Sequence, residues 1–283
     1  MSIFQVKPEP FFDIVVHDIL RSPGLTAATA GFDGSAWRNE AMADYLFEWL
    51  PEFALKYSDL EDLGSATAMR LIKKAAKTIY TTEKYQRRGE FGELLLHALI
   101  REVFGSQPAI SKIYYKSSTN ETVKGFDAVH IVESDKGLEL WLGEVKFYKN
   151  INAAVRDVVP ELLAHTDRDY LREEFILIDS KIDTGWQHAE KLRKLISERT
   201  PLDYIFERVC IPVLLTYESK CIKGHVSTSD DFLSELKQEL EKVYKYFSEK
   251  ELPSVKIHLM LMPLEEKEAL VKELQEKLEG LQR

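Results

Sequence analysis

Residues 140–148 read Leu-Trp-Leu-Gly-Glu-Val-Lys-Phe-Tyr and form the most informative stretch of the chain. The apolar side chains predict a buried β-strand, in which successive side chains point to opposite faces of a sheet. Glu144 and Lys146 are two positions apart, so they project from the same face. Burying a charge costs several kcal/mol unless it is paired or binds a metal ion. Two charged side chains in such a strand therefore indicate a functional site.

The acidic residues upstream make this site more specific than the spacing alone. Four other acid-x-Lys triplets occur in the chain, at Asp179/Lys181, Glu218/Lys220, Glu235/Lys237 and Glu265/Lys267. Only the triplet at Glu144 is preceded by a second predicted strand that carries an acid, Asp127 in 125–132. Further upstream, a predicted helix carries Glu90 and Glu93 on one side. The order is therefore helix acid, strand acid and strand Glu-x-Lys.

These residue types suit metal-dependent hydrolysis of a phosphodiester. Mg²⁺ prefers oxygen ligands, so two or three convergent carboxylates would share its coordination shell with water and a phosphate oxygen. Such an ion lowers the pKa of a bound water and stabilises the charge that develops on the phosphate. Lys146 would position or deprotonate the attacking water and neutralise that charge. Glycines at 125 and 143 are predicted to let a phosphate backbone approach closely.

The same order of residues resembles the PD-(D/E)xK nuclease superfamily, although Phe126 stands where the superfamily's name has proline. A narrower resemblance rests on three strings: Arg87-Arg-Gly-Glu-Phe-Gly-Glu93, Gly125-Phe-Asp127 and Trp141-Leu-Gly-Glu-Val-Lys146. They resemble the HamA family, the nuclease subunits of the Hachiman antiphage defence systems. The resemblance extends over about residues 40–265.

The resemblance implies a fold, a site and partners. The fold would be α/β, with a restriction-endonuclease-like core, a mixed central sheet flanked by helices, and a mainly helical N-terminal extension. The catalytic residues would be Asp127, Glu144, Lys146 and Glu93, which follows Gly92 as in the family's Gly-Glu pattern. Glu90 is the alternative helix acid. The cofactor would be Mg²⁺ or Mn²⁺.

The implied substrate is DNA and the implied partner is a helicase subunit of the HamB type, which would hold the nuclease inactive until it meets aberrant or invading DNA. The chain has no Gly-x-x-x-x-Gly-Lys-Ser/Thr phosphate loop, so the helicase would be a separate protein.

Charge is unevenly distributed along the chain. The 283 residues include 47 acidic and 38 basic side chains, a net charge of −9, which disfavours a general nucleic-acid coat protein. Residues 1–62 carry 4 basic and 11 acidic side chains (−7), whereas 63–149 carry 14 and 10 (+4). Within the basic part, Lys84, Arg87 and Arg88 directly precede the catalytic helix. They are predicted to bind DNA, and a solvated helix face is the alternative.

Hydrophobic periodicity predicts two parts, an acidic and mostly helical segment at 1–62 and the nuclease domain at 63–283. Strands are predicted at 110–115, 125–132, 138–148, 175–178, 209–217 and 255–262. Helices are predicted at 39–57, 66–80, 86–104, 151–173, 185–199, 231–247 and from 264 onward. Strands that alternate with helices favour an α/β fold. The last helix has an apolar stripe that packs on this domain or on a partner.

Two cysteines and the absence of a long apolar run predict a soluble cytoplasmic protein with no membrane contact. His97 is expected to be a polar neighbour in helix packing, and His130 to face away from Asp127. The segment from Cys221 to His225 is interpreted as a loop.

Three functions compete. The first is a metal-dependent DNA endonuclease that serves as the effector of an antiviral complex. The second is a nuclease-like assembly subunit that regulates a helicase with little catalysis of its own. The third is a restriction-like enzyme that reads its own target sequence, for which no recognition helix is evident.

Overall fold

The structure, a computed structural model, describes residues 3–79, 89–111, 125–134 and 137–283. Its strands are β1 Asp13–Asp18, β2 Gly24–Thr29, β3 Phe32–Asp33, β4 Ala36–Trp37, β5 Gln107–Pro108, β6 Ala128–Ser134, β7 Gly137–Phe147, β8 Val209–Glu218 and β9 Lys256–Leu264. Its helices are α1 Asn39–Glu48, α2 Leu50–Ala54, α3 Tyr57–Leu60, α4 Ala68–Thr78, α5 Glu90–Phe104, α6 Ile151–His165, α7 Arg168–Lys181, α8 Ala189–Ile196, α9 Leu202–Phe206, α10 Lys220–Lys223, α11 Asp230–Ser248 and α12 Lys267–Gln282.

In the described part of the chain, seven strands form one mixed sheet in the order β1-β2-β9-β8-β7-β6-β5. The pairs β2–β9, β9–β8 and β8–β7 are parallel, and the pairs at both edges are antiparallel. The central strand β8 is apolar almost throughout and buried from Val209 to Tyr217, as expected of a parallel strand covered on both faces. The prediction of an α/β fold with a mixed sheet flanked by helices is confirmed.

Helices α5 and α6 pack on opposite faces of β7. On one face, a Cβ built at Gly92 of α5 would lie 2.8 Å from both Val145 Cγ1 and Phe147 Cβ, so only glycine lets the helix approach this closely. On the other face, Glu144 and Lys146 contact side chains of α6. The alternation of the strand therefore separates an α5 face, with odd-numbered residues of β7, from an α6 face, with even-numbered residues.

The last helix packs on the chain itself. Its stripe is buried, and α12 contacts α1 and α4. The Gln282 side-chain amide donates to Ala76 O at 2.7 Å and to Ile79 O at 2.8 Å. Of the two possibilities that the sequence left open for this helix, packing on its own domain or on a partner, the structure shows the first. Within the described ranges, no helix has the length and apolar character that a membrane crossing requires.

The prediction of a mainly helical N-terminal extension was wrong, because residues 13–18 and 24–29 are strands of the central sheet. The second of these, Gly-Leu-Thr-Ala-Ala-Thr, is wholly buried and pairs in parallel with β9. Its glycine and alanines carry little strand propensity, and of its two partners β1 is adjacent in sequence whereas β9 lies about 230 residues away. Pairing with the distant strand β9, rather than local propensity, therefore accounts for its extended conformation.

The predicted strand at 175–178 is also wrong, because these residues lie inside α7. Leu171, Phe175 and Ile178 are buried at helical spacing, whereas Ile176 and Leu177 are exposed. The run of four apolar residues was therefore mistaken for a buried strand. In the predicted strand 110–115, Ile110 and Ser111 lie outside any strand, and 112–115 lie outside the described residues.

Loss of stability in acid is expected from a buried histidine between β2 and β9. His258 Nε2 lies 2.7 Å from Thr26 Oγ1, and burial, with the charges of His17 and Lys256, lowers the pKa of His258 to about 4. The unfolded chain takes up this proton near pH 6.5. As the pH falls from 6.5 towards 4, this group should lower the free energy of unfolding by up to about 1.4 kcal/mol per pH unit. Above pH 6.5 it should cause no loss of stability.

Urea unfolding at several pH values measures this loss. A His258→Gln variant should show a shallower dependence of unfolding free energy on pH in that window, whatever its absolute stability. Identical slopes in the two proteins would contradict the assignment.

Candidate functional site

Asp127 and Glu144 are neighbours across two adjacent strands. The register of β6 and β7 pairs Ala128 with Gly143, which places Asp127 beside Glu144. The Asp127 N–H donates to Gly143 O at 2.7 Å, and the Val145 N–H donates to Asp127 Oδ2 at 2.9 Å. The backbone of Asp127 is thus held to Gly143 and its carboxylate to Val145, the two residues that flank Glu144. Two carboxylates converge at the end of a buried hairpin.

Glu144 lies on the α6 face and is only 2% exposed. The imidazole of His165, at the end of α6, hydrogen-bonds through Nδ1 to Glu144 Oε1. Burial and the negative charge of Asp127 raise the pKa of Glu144, and the hydrogen bond from His165 opposes them. Burial first, and then the charge of Asp127, make the ionised form of Glu144 costly at this position.

Lys146 is buried beside the carboxylates and forms an ion pair with Glu161 of α6. Burial alone would lower the pKa of Lys146, but the hydrogen bond to Glu161 and the charges of Glu144 and Asp127 raise it. The side chain is therefore an ammonium ion at neutral pH.

Helix α6 supplies two side chains to this site that the sequence interpretation missed. Asn150 caps the helix by accepting a hydrogen bond from the Ala153 N–H at 3.0 Å. Glu161 and His165 are four residues apart, so they lie on one face of the helix and meet Lys146 and Glu144. A helix that follows a Glu-x-Lys strand and carries two such residues at i and i+4 is the signal that would have found them.

Tyr170 of α7 extends the site. Its ring stacks on His165, with centroids 4.5 Å apart and planes at 10°. Burial and the nearby carboxylates, Glu174 first among them, raise the pKa of its hydroxyl. That hydroxyl is buried, and no hydrogen-bond partner for it is present in the described part of the chain. A ligand with an acceptor oxygen would satisfy it.

The predicted helix acids lie in the first turn of α5. Glu93 is buried in the first turn of α5 and Glu90 is half-buried, and this turn packs on the α5 face through Gly92. Glu93 or Glu90 as metal ligand stays a prediction. Lys84, Arg87 and Arg88 lie outside the described residues.

The two glycines predicted to admit a phosphate backbone contact protein side chains instead. A Cβ at Gly143 would lie 2.5 Å from Leu96 Cδ2, so this glycine admits α5. Gly125 has a φ of 127°, which only glycine adopts readily, and the Glu174 carboxylate occupies the space that a Cβ would need. Both glycines serve packing in this structure.

A buried polar network lies on the α5 face behind the site. His97 Nδ1 and His130 Nε2 are 3.2 Å apart, and His97 Nε2 lies 3.2 Å from Glu52 Oε1. Arg101 forms an ion pair with the same Glu52. His97 and His130 are therefore packing residues on the face opposite Glu144, as predicted.

One group of three potential metal ligands lies elsewhere. Among the described residues, Cys221, His225 and Glu235 have ligand atoms within 4.8 Å of one another. Cys221 lies in the short helix α10, where a loop was predicted. Burial raises the pKa of its thiol to about 11, so the thiolate form that binds metals is disfavoured at neutral pH.

The site around Glu144 fits a hard divalent cation. Its donors are carboxylate oxygens, which such ions prefer. Burial and the negative charge of Asp127 raise the pKa of Glu144, and a cation would offset that charge. The charges of the same carboxylates also raise the pKa of the buried Tyr170 hydroxyl. Asp127 and Glu144 are the residues that would hold such an ion.

The HamA family model matches residues 9–278, nearly the whole chain. A curated relative, Anti-bacteriophage protein A of Escherichia coli (strain K12), is 24% identical over 261 residues. The match covers 86% of this chain and 45% of that protein, so the chain spans less than half of the relative's length.

Proposed function

The chain belongs to the HamA family, and from that premise we propose that it acts in antiphage defence as a metal-dependent DNA endonuclease. The observation that carries this proposal is the convergence of Asp127, Glu144 and Lys146 on one face of the sheet. The name of the E. coli relative supports a role against bacteriophage. DNA as substrate and a helicase as partner rest on the sequence resemblance.

The residues have distinct proposed roles. Asp127 and Glu144 hold Mg²⁺ or Mn²⁺, with Glu93 or Glu90 as a further ligand. A bound ion would polarise the phosphodiester and lower the pKa of a coordinated water. Lys146 is held as an ammonium by Glu161, so it orients the water and stabilises charge on the phosphate rather than removing a proton.

A nicking assay tests the proposal. Purified protein is incubated with supercoiled plasmid in Mg²⁺, in Mn²⁺ and in EDTA, with and without any helicase isolated with it from its host. We expect nicked and linear DNA only with a divalent ion, and a higher rate with the partner and its ATP. Metal-independent cleavage would contradict the mechanism. No cleavage under any condition would favour the alternative, a nuclease-like subunit that regulates the helicase.

His165 is proposed to position Glu144. A His165→Gln variant keeps a hydrogen-bond donor near Glu144 but loses the titratable imidazole and its stacking on Tyr170. We expect cleavage to fall about 10- to 100-fold, as for other residues that orient metal ligands, with a higher concentration of Mg²⁺ needed for half-maximal rate. A Mg²⁺ titration of the cleavage rate measures both. An unchanged Mg²⁺ dependence would show that His165 does not act through Glu144.

A further inference from the structure

A cavity of about 530 Å³ opens beside the first residues of β7, at the opposite end of that strand from Glu144. Its volume lies in the range of small-molecule sites. Leu138 and Leu195 provide apolar walls, and the rim carries Lys191, Lys194, Arg199 and Arg208. Among the described residues that line the cavity, four are cations and none is acidic.

Three of these cations have no ionic partner among the residues that the structure describes. Within the described residues, no acidic group lies within 4.0 Å of the charged groups of Lys191, Lys194 or Arg199. The two lysines are three positions apart on α8, so they lie on the same exposed side of that helix, whose opposite side is buried. Cations brought together without acids repel one another, and an anion between them removes that cost.

The fourth cation is fixed against an aromatic ring. The Arg208 guanidinium carbon lies 3.7 Å from the centroid of Tyr204, and Arg208 Nη1 donates to the backbone oxygen of Tyr204 at 3.2 Å. Glu207 is the acidic neighbour of this arginine, at 3.5 Å. Tyr204 is nevertheless 47% exposed at the cavity. An exposed ring beside a cluster of cations is the combination on which nucleotides stack.

We propose that this basic cavity binds a nucleotide unit, with its phosphate against Lys191, Lys194 and Arg199 and its base against Tyr204. Leu138 and Glu144 project from the same face of β7, because both are even-numbered positions of one strand. Six residues of strand separate them by about 20 Å. A nucleic-acid strand and a free nucleoside phosphate offer this same chemistry, and the shared face favours the strand. Binding at the cavity needs no catalysis, but the preference for a strand over a free nucleotide rests on the proposed function.

Anisotropy binding in EDTA tests the proposal, because no metal-dependent cleavage occurs there. The full chain is titrated against a labelled oligothymidylate and, separately, against a fluorescent ATP analogue. The variant Lys191→Glu/Lys194→Glu/Arg199→Glu should bind the oligonucleotide at least about tenfold more weakly. The slope of log affinity against log salt should fall by about 2, since each lost contact to a single strand contributes about 0.7. Tyr204→Ala should weaken binding about fivefold with little change in that slope.

The matched control is Lys237→Glu/Lys242→Glu/Lys245→Glu, which makes the same change in charge on exposed positions of α11. Loss of oligonucleotide binding alone assigns the cavity to a strand, and loss of both probes assigns it to a nucleotide in general. If the cavity variant and the control bind both probes equally, the proposal is overturned. The catalytic assignment is unaffected by that result, because it is read from cleavage in Mg²⁺.

Discussion

Replacing Glu144 by glutamine is expected to lower the rate of DNA cleavage at least about 10²- to 10³-fold, the usual loss when one group that stabilises developing charge is removed. The variant keeps the shape of the side chain and loses the negative charge that would bind the metal ion. The thermal stability of the variant should not decrease, although its activity does. Because burial and Asp127 raise the pKa of Glu144, the folded state disfavours the charge that glutamine lacks. A plasmid nicking assay and a thermal melt, run on the same preparation, measure the two quantities.

Lys146→Ala should lose cleavage to a similar extent, but with some loss of stability, since the fold favours the ammonium form. Glu139→Gln is the matched control, because it neutralises an acid on the same strand where it pairs with Lys256. It should cleave at the normal rate. Full activity in Glu144→Gln or in Lys146→Ala would remove the catalytic assignment.

Arg101→Met is expected to lower the free energy of unfolding by about 3–5 kcal/mol, the cost of leaving one member of a buried ion pair without its partner. The Arg101 side chain is fully buried. Its Nη2 donates to Glu52 Oε2 at 3.1 Å and to Phe4 O at 2.9 Å, and another of its nitrogens donates to Ser106 O. The pKa of Glu52 is lowered, although burial would raise it, because His97 and Arg101 stabilise its charge. Urea unfolding at pH 7.5 measures the loss.

The double variant Glu52→Gln/Arg101→Met should recover part of that loss, because it removes the stranded carboxylate as well. Lys272→Met, at an exposed ion pair with Glu276, should change the unfolding free energy by less than about 1 kcal/mol. If Arg101→Met is no more destabilising than Lys272→Met, the buried network of Glu52 and Arg101 does not contribute measurably to the stability of the fold.

The strands of the site could be predicted because their signals are local. β7 and β8 are long apolar runs bounded by polar residues, and Asp127 and Glu144 each stand out as a charge in such a run. The face on which His130 lies followed from alternation alone. These inferences needed only the period of a strand.

Other parts depend on contacts between distant residues. Glu161 and His165 look like an ordinary polar side of a helix until α6 is placed on the even-numbered face of β7. Whether Glu90 or Glu93 reaches the metal depends on how the first turn of α5 meets that strand, which no spacing encodes. The residues Gly24–Thr29 show no local pattern that predicts a strand. One of the two strands that pair with them, β9, begins only at Lys256.

This pairing has a consequence for synthesis of the chain. β2 leaves the ribosome early, but its parallel partner β9 is made more than 200 residues later. The early strand must wait with an exposed edge while the rest of the sheet is translated, and closing so long a loop is slow. The sheet that carries Asp127, Glu144 and Lys146 is therefore completed only when β9 has been made. A nascent or truncated chain that ends before β9 should be a target for chaperones and proteases rather than a prematurely active protein.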